Sequence, residues 1–219
     1  MPSDRWEYGG AYQRHPVEGN RVTFADGSII QPHNLFDPLP EFMRSADLVF
    51  VDPPWNVGNI NSFYTKAGRD DYQESFLPFL DRLFFRIADV NPRVCYVEIG
   101  KEFLADVVIK MRALYRAVTF YNSTYFHKPD NLCYVVRGAA KRKKRPLDGL
   151  DEETIIEWVC ANEEFNCIGD LCMGRGLVGL NAYANGKRFV GTELNHKRLA
   201  VLVEKLHKKG LTYEVSPLQ

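Results

Sequence analysis

The sequence predicts an α/β domain built on an open, mostly parallel sheet covered by helices on both faces. Three observations carry this. From Arg93 onward, short runs of β-forming residues alternate with longer stretches of helical apolar spacing, the pattern of repeated βα units. Asn166 to Asp170 reads as a strand that runs into the glycine-rich turn Leu171-Cys172-Met173-Gly174-Arg175-Gly176 and then a helix from Leu177 to Asn185. Asp47 to Val51 reads as a buried strand and stops at Asp52-Pro53-Pro54-Trp55, so a carboxylate and two prolines stand at a strand's carboxyl end, where open α/β sheets bind ligands.

A chain of 219 residues with 45% hydrophobic content supports one substantial domain, expected from residue 21 to 219, behind an amino-terminal arm of residues 1 to 20. Lys plus Arg and Asp plus Glu number 28 each, so any contact with a polyanion must come from a local patch rather than a global basic field. The five cysteines contain no C-x-x-C pair and most lie in apolar segments, which fits reduced, intracellular thiols and no metal site. Met1 to Trp6 lacks the apolar run of a secretory signal and no window reaches a membrane-spanning length, so a soluble, cytoplasmic protein is expected.

In chain order, Arg21 to Asp26 alternates and stops at Asp26-Gly27, a strand and a turn. Asn56 to Gly68 is rich in Gly and Asn and reads as a mobile loop able to close over a substrate, with Asn59 and Lys66 as its candidate nucleic-acid contacts. Asp70 to Asp89 carries an apolar helical stripe with Pro78 near its first turn. Arg93 to Ile99 is a strand, Lys101 to Tyr115 a helix, and Ala117 to Asn122 and Leu132 to Arg137 two strands close enough to be antiparallel neighbours. Residues 122 to 150 form a small linker or target-recognition region containing the basic run Lys141-Arg142-Lys143-Lys144-Arg145, a candidate phosphate contact. Asp151 caps a helix reaching Cys160, and after the glycine turn come a strand, Arg188 to Glu193, and a last helix, Asn195 to Lys209.

Two groups of residues carry chemistry. Consecutive prolines fix φ and lack N–H donors, so Asp52 and the Pro53 carbonyl form a rigid pair of acceptors, with Pro54 holding the turn and the Trp55 indole beside them. Such an array suits an exocyclic amino group on a planar ring, with two N–H donors satisfied and one ring face stacked. The same residues also read as an ordinary turn ending a strand. In the second group, Gly174 and Gly176 allow close approach of a ligand to the backbone, and the helix amino terminus offers N–H groups to an anion. Glu193 ends the next strand about 20 residues on, the place from which an acid grips ribose hydroxyls in nucleotide sites.

With both groups in place, the chain resembles the S-adenosylmethionine-dependent adenine amino-methyltransferases acting on DNA. Their catalytic motif, Asp/Asn/Ser-Pro-Pro-aromatic, is matched by Asp52-Pro53-Pro54-Trp55, and their Asp-Pro-Phe-x-Gly-Ser-Gly motif by Asp170 to Gly176, with Leu171, Cys172 and Arg175 departing from it. The catalytic motif precedes the cofactor motif, the order of the circularly permuted (beta) group. The resemblance spans nearly the whole chain from residue 21. It implies a seven-stranded Rossmann-like sheet, its last strand antiparallel, and S-adenosylmethionine as cofactor, held by Asp170, Cys172, Gly174, Gly176, Glu193 and, at its adenine, Asp26. It implies a flipped or unpaired adenine in bacterial or phage-encoded DNA modification. The short recognition region implies relaxed specificity or a partner, either a second copy or a specificity protein. The same acceptor array serves cytosine-N4 methylation; Trp in the last motif position also marks permuted RNA adenosine methyltransferases; and the altered glycine loop is compatible with a catalytically silent nucleic-acid-binding subunit.

Overall fold

The computed structural model describes residues 8–125 and 128–218, and the expected arm therefore lies partly outside the described residues. Among the described residues nine strands form one sheet: β1 (Asn20–Phe24), β2 (Ile29–Pro32), β3 (Leu48–Val51), β4 (Val94–Ile99), β5 (Ala117–Tyr125), β6 (Lys128–Ala139), β7 (Cys167–Asp170), β8 (Arg188–Glu193) and β9 (Tyr213–Pro217). Their spatial order is β5-β6-β4-β3-β7-β8-β2-β1-β9. The helices are α1 (Ala11–Arg14), α2 (Val57–Lys66), α3 (Phe76–Val90), α4 (Leu104–Leu114), α5 (Glu152–Asn162), α6 (Leu177–Ala184) and α7 (His196–Lys208).

Period-two alternation along each strand divides the apolar residues between two cores. Leu48 and Phe50 of β3 and Tyr96 of β4 pack with α5, α6 and α7, whereas Val49, Val51, Cys95, Val97 and Ile99 pack with α2, α3 and α4. The expected three layers are present. Among the described residues no helix is long and apolar enough to cross a membrane.

The sheet corrects the expected strand count. Seven strands, β5-β6-β4-β3-β7-β8-β2, form a unit in which β6 runs antiparallel to both its neighbours, and β1 and β9 extend it by two. The strand lying parallel to β8 is β2, four residues that follow the Asp26-Gly27 turn; the Arg21 to Asp26 strand, expected to bring Asp26 to the cofactor, is the outer arm of a hairpin. β9 pairs with β1 across five residues. Chain connections leave β3 and β7 in opposite directions along the sheet, which makes the crevice above their carboxyl ends a topological switch point.

Asn56 to Gly68 is also corrected, because α2 occupies most of it. Asn56 caps the helix by accepting a hydrogen bond from Asn59 N at 2.9 Å, and the buried Ile60 anchors it to the core. Val57, Ile60 and Tyr64 recur at helical spacing and pack inward, which outweighs the low propensity of Gly58 and the asparagines. α3 begins at Phe76 rather than Asp70, with Ser75 at the N-cap position and Pro78 in its first turn where no N–H is missed.

Candidate active site

β3 delivers Asp52 to the switch point, and the side chains around it hold the carboxylate in place. Trp55 Nε1 donates to Asp52 Oδ1 at 3.0 Å, and Tyr125 OH, from the end of β5, donates to Oδ2 at 3.4 Å. The Trp55 backbone N–H is tied to Asn59 Oδ1 at 3.3 Å, so the first turn of α2 braces the loop. Gly100 lies against one indole face, where an added Cβ would approach within 3.0 Å, and Tyr125 meets the indole edge-on at 5.1 Å. The indole thus acts as a fixed donor to Asp52, a role beyond the stacking platform expected from sequence. The Pro53 carbonyl accepts no hydrogen bond from the described residues. Burial pushes the Asp52 carboxyl up to about 6 against the lowering effect of the Trp55 and Tyr125 donors.

The second wall comes from β7, the glycine turn and β8. Asp170 ends β7 buried, and its Oδ1 accepts the Cys172 N–H at 3.0 Å; burial holds its carboxyl well above the usual range. Gly174, with φ of 53°, lines the cavity, and its N–H donates to Glu193 Oε2 at 2.8 Å. Glu193 Oε1 accepts from Asn195 N at 3.0 Å, so one buried carboxylate ties the turn to the start of α7 while keeping lone pairs for a ligand. Gly176 behaves differently from the expectation. It does not line the cavity; its φ of 79° starts α6, and a Cβ there would sit 2.7 Å from Leu202, so glycine is required for α6 to approach α7.

Between these walls lies a cavity of about 660 Å3, within the usual range for small-molecule sites of roughly 300–1,000 Å3. It brings together Asp52, Pro53, Pro54, Trp55 and Asn59 with Asp170, Cys172, Gly174 and Glu193. It also recruits residues that the sequence reading passes over. Glu98, fully buried on β4, and Glu152, at the start of α5, add carboxylates. His33 and Asn34, at the carboxyl end of β2, stand where Asp26 was expected, and burial lowers the His33 ring to about 4, so it is neutral at pH 7. The buried Arg86 guanidinium fixes that loop by donating to the carbonyls of Leu35 and Phe36, each at 3.2 Å, and Asp37 at 2.5 Å. Arg198 reaches over the Phe63 ring at 4.5 Å and, with Arg175, supplies positive charge near Gly174.

Besides Gly176, three expected site residues or groups lie elsewhere. Asp26 sits exposed in the turn between β1 and β2, accepting the Ser28 N–H at 2.8 Å, at the end of β2 opposite the cavity. The reason is the hairpin: the turn reverses the chain, so an acid that ends β1 stands at the beginning of its parallel neighbour. The run Lys141 to Arg145 leaves β6 beside Val94, the first residue of β4, and therefore at the edge opposite Asp52, on the order of 15–20 Å away by strand rise. Arg145 is further engaged in a two-pronged pair with the buried Glu163, both contacts at 2.9 Å, while Lys141 to Lys144 are exposed. Lys66 ends α2 exposed, outside the cavity lining.

Comparison with known proteins gives the fold a context. No family model matches the chain, and no curated protein matches it. Among solved structures, the M1.HpyAVI–SAM complex superposes with a TM-score of 0.57 at 12% identity, covering 81% of this chain and 98% of that one. TTHA0409 from Thermus thermophilus, described as a putative DNA modification methylase, gives 0.56 at 15% identity over 82% of this chain and 94% of its own. The cytosine-N4-specific PvuII DNA methyltransferase gives 0.51 at 13% identity over 82% and 89%. The fold is that of DNA methyltransferases.

Proposed function

We propose that this protein transfers a methyl group from S-adenosylmethionine to the 6-amino group of adenine in DNA. The observation that carries this reading is the Asp52 carboxylate, half-buried at the switch point, held by Trp55 and Tyr125, and opening onto a cavity that continues to Glu193. The chemistry of the lining fits the methyl donor. Buried carboxylates suit its sulfonium and ammonium charges, Arg175 and Arg198 beside the glycine turn suit its carboxylate, and Glu193 retains lone pairs for ribose hydroxyls. Asp170, Cys172 and Gly174 would hold the amino-acid end, and His33 and Asn34, rather than Asp26, would border the adenine.

When bound, S-adenosylmethionine supplies an electrophilic methyl carbon. The chain's part is positional and electrostatic. The adenine amino nitrogen is a poor nucleophile because its lone pair is delocalised into the ring. Asp52 and the Pro53 carbonyl each accept one N–H, which favours a pyramidal nitrogen and directs its lone pair at the methyl carbon. Methyl transfer from the sulfonium would leave positive charge on the amino nitrogen beside Asp52, whose carboxylate would stabilise it and is basic enough to take the departing proton. A base paired in a duplex cannot reach this depth, so the target is flipped out or already unpaired. The β5–β6 hairpin supports a DNA-facing role for the recognition region: Tyr134 is the last β6 residue paired with β4, and Lys128 to Cys133 extend beyond that edge.

Expression in a methylation-deficient host, followed by digestion of its DNA to nucleosides and mass spectrometry, tests the reading. N6-methyladenine is the expected product. N4-methylcytosine in its place would overturn the adenine assignment, and neither base would leave a silent binding subunit.

A further inference from the structure

Glu98 is the least explained group in the cavity. It stands one residue beyond the last register pair of β3 and β4, Val51 with Val97, so it lies beside Asp52 on the neighbouring strand, roughly 5 Å away between backbones. Two residues earlier on each strand, Phe50 and Tyr96 stack at 5.6 Å and 14°, which places Asp52 and Glu98 on that same sheet face. Glu98 is 0% exposed and lines the cavity, yet neither of its carboxylate oxygens has a hydrogen-bond partner among the described residues. The Cys133 thiol faces it without reaching bonding geometry. A buried polar group left unsatisfied costs about 1–3 kcal/mol, more when charged, so an acid kept here without a partner marks a place where a ligand supplies one.

We propose that Glu98 is a positioning residue for the target base, donating its carboxyl O–H to the acceptor ring nitrogen next to the amino-bearing carbon, N1 in adenine. This rests on the amino-methyltransferase reading and deepens it. Among the described residues Asp52 has two donors and Glu98 has none, so of two adjacent carboxyls that cannot both ionise cheaply, Asp52 carries the charge and Glu98 keeps the proton. The groups facing Glu98 add to this: Asp52 from β3, Glu152 from α5 and Tyr125 from β5 are acidic or neutral, as is Cys133 from β6, and burial followed by Asp52 and Glu152 raises its carboxyl well above the usual range. A neutral acid is a donor where Asp52 and the Pro53 carbonyl are acceptors. Together they match an amino group flanked by a bare ring nitrogen, with the base oriented in its own plane.

The test compares wild type, Glu98→Gln and Glu98→Met, using isotope-labelled S-adenosylmethionine and DNA from the methylation-deficient host across pH 6–9. Gln keeps a neutral donor at the same place; Met fills the volume without one. Glu98→Met should methylate at least thirtyfold more slowly, with cofactor affinity within threefold and a Tm no lower than wild type, since an unsatisfied acid has been removed. Glu98→Gln should recover to within tenfold of wild type and lose the alkaline fall in rate that wild type shows as Glu98 ionises. Met as active as wild type overturns the proposal; so does Gln as inactive as Met with cofactor binding intact, which would mean that an ionised carboxylate is needed. If Met does not fold, Gln decides: an alkaline limb identical to wild type overturns it. Wild type that methylates neither base overturns the amino-methyltransferase reading itself, and this assignment with it.

Discussion

The two edges of the sheet are built from opposite charge in opposite surroundings. Along the carboxyl-terminal edge, four adjacent strands, β4, β3, β7 and β8, finish at or next to Glu98, Asp52, Asp170 and Glu193, and all four line the cavity. Along the other edge, Arg112, Arg116 and Lys141 to Lys144 stand exposed where α4 ends and β6 leaves the sheet. Water screens the exposed cations and leaves them little energetic consequence, whereas the buried acids interact with one another and with any ligand at far lower effective dielectric. The contrast says where function should be sensitive to mutation, and each edge can be probed separately.

The largest effect should come from Asp52→Ala. Methyl transfer should fall by at least about a thousandfold, while the dissociation constant for S-adenosylmethionine stays within tenfold, because the carboxylate acts on the amine in the transition state. Turnover near wild type in the nucleoside assay would remove Asp52 from the mechanism. Glu193→Ala comes next: calorimetry should show cofactor binding weaker by about 1.5–3 kcal/mol, the range for a hydrogen bond to a charged group. An unchanged dissociation constant would reduce Glu193 to a brace between Gly174 and Asn195.

Protonation sharpens the comparison further. Burial raises the folded-state carboxyls of Asp52, Glu98, Asp170 and Glu193 above their unfolded values, so each favours the folded state at low pH and loses that contribution as pH rises through its folded value. For Asp52 the window lies between about 4 and about 6, and burial shifts Glu98 and Asp170 in the same direction. The Tm of the protein without cofactor should fall by roughly 5 °C between pH 4 and 7, and S-adenosylmethionine should reverse most of the fall and release protons on binding. A flat Tm over that interval would mean that the four acids ionise freely. The smallest effect belongs to the opposite edge. Replacing Lys141, Arg142 and Lys143 by Ala should leave methylation unchanged and the plot of log binding constant against log salt superimposable on wild type. A slope shallower by about 0.9 per residue would restore the run as a phosphate contact.

How much of this the sequence discloses depends on whether a feature is local. Asp52 to Trp55 and Asp170 to Glu193 are legible because proline rigidity, glycine turns and strand ends are properties of neighbouring residues. The cap at Asp151 is legible for the same reason, with its Oδ1 accepting Thr154 N at 3.1 Å; Asn195, expected as the first residue of the last helix, is its cap, with Oδ1 accepting Lys197 N at 3.0 Å. β2 is only four residues long and β9 is largely exposed, so neither shows an apolar period, and both exist through pairing with distant strands. Losing β2 displaced the expected third acid to Asp26 and hid His33. Glu98 carried one signal, an acid inside Val94-Cys95-Tyr96-Val97-Glu98-Ile99, but its place beside Asp52 follows from strand register. Tyr125 and Glu152 carried none, since a terminal tyrosine and a first-turn helix acid are ordinary.

The pairing of β9 with β1 sets how the molecule responds to tension. Asn20 lies opposite Pro217 and Phe24 opposite Tyr213, and Leu218 N bonds Gly19 O at 3.1 Å, so the outermost partners of this ribbon are the residues nearest the two ends of the chain. A pull applied through residues 19 and 218 loads the ladder from one end, opening its hydrogen bonds in succession like a zipper rather than shearing them together. The ribbon should therefore peel at low force and give an early extension step, while the strands bearing Asp52, Asp170 and Glu193 remain folded behind it.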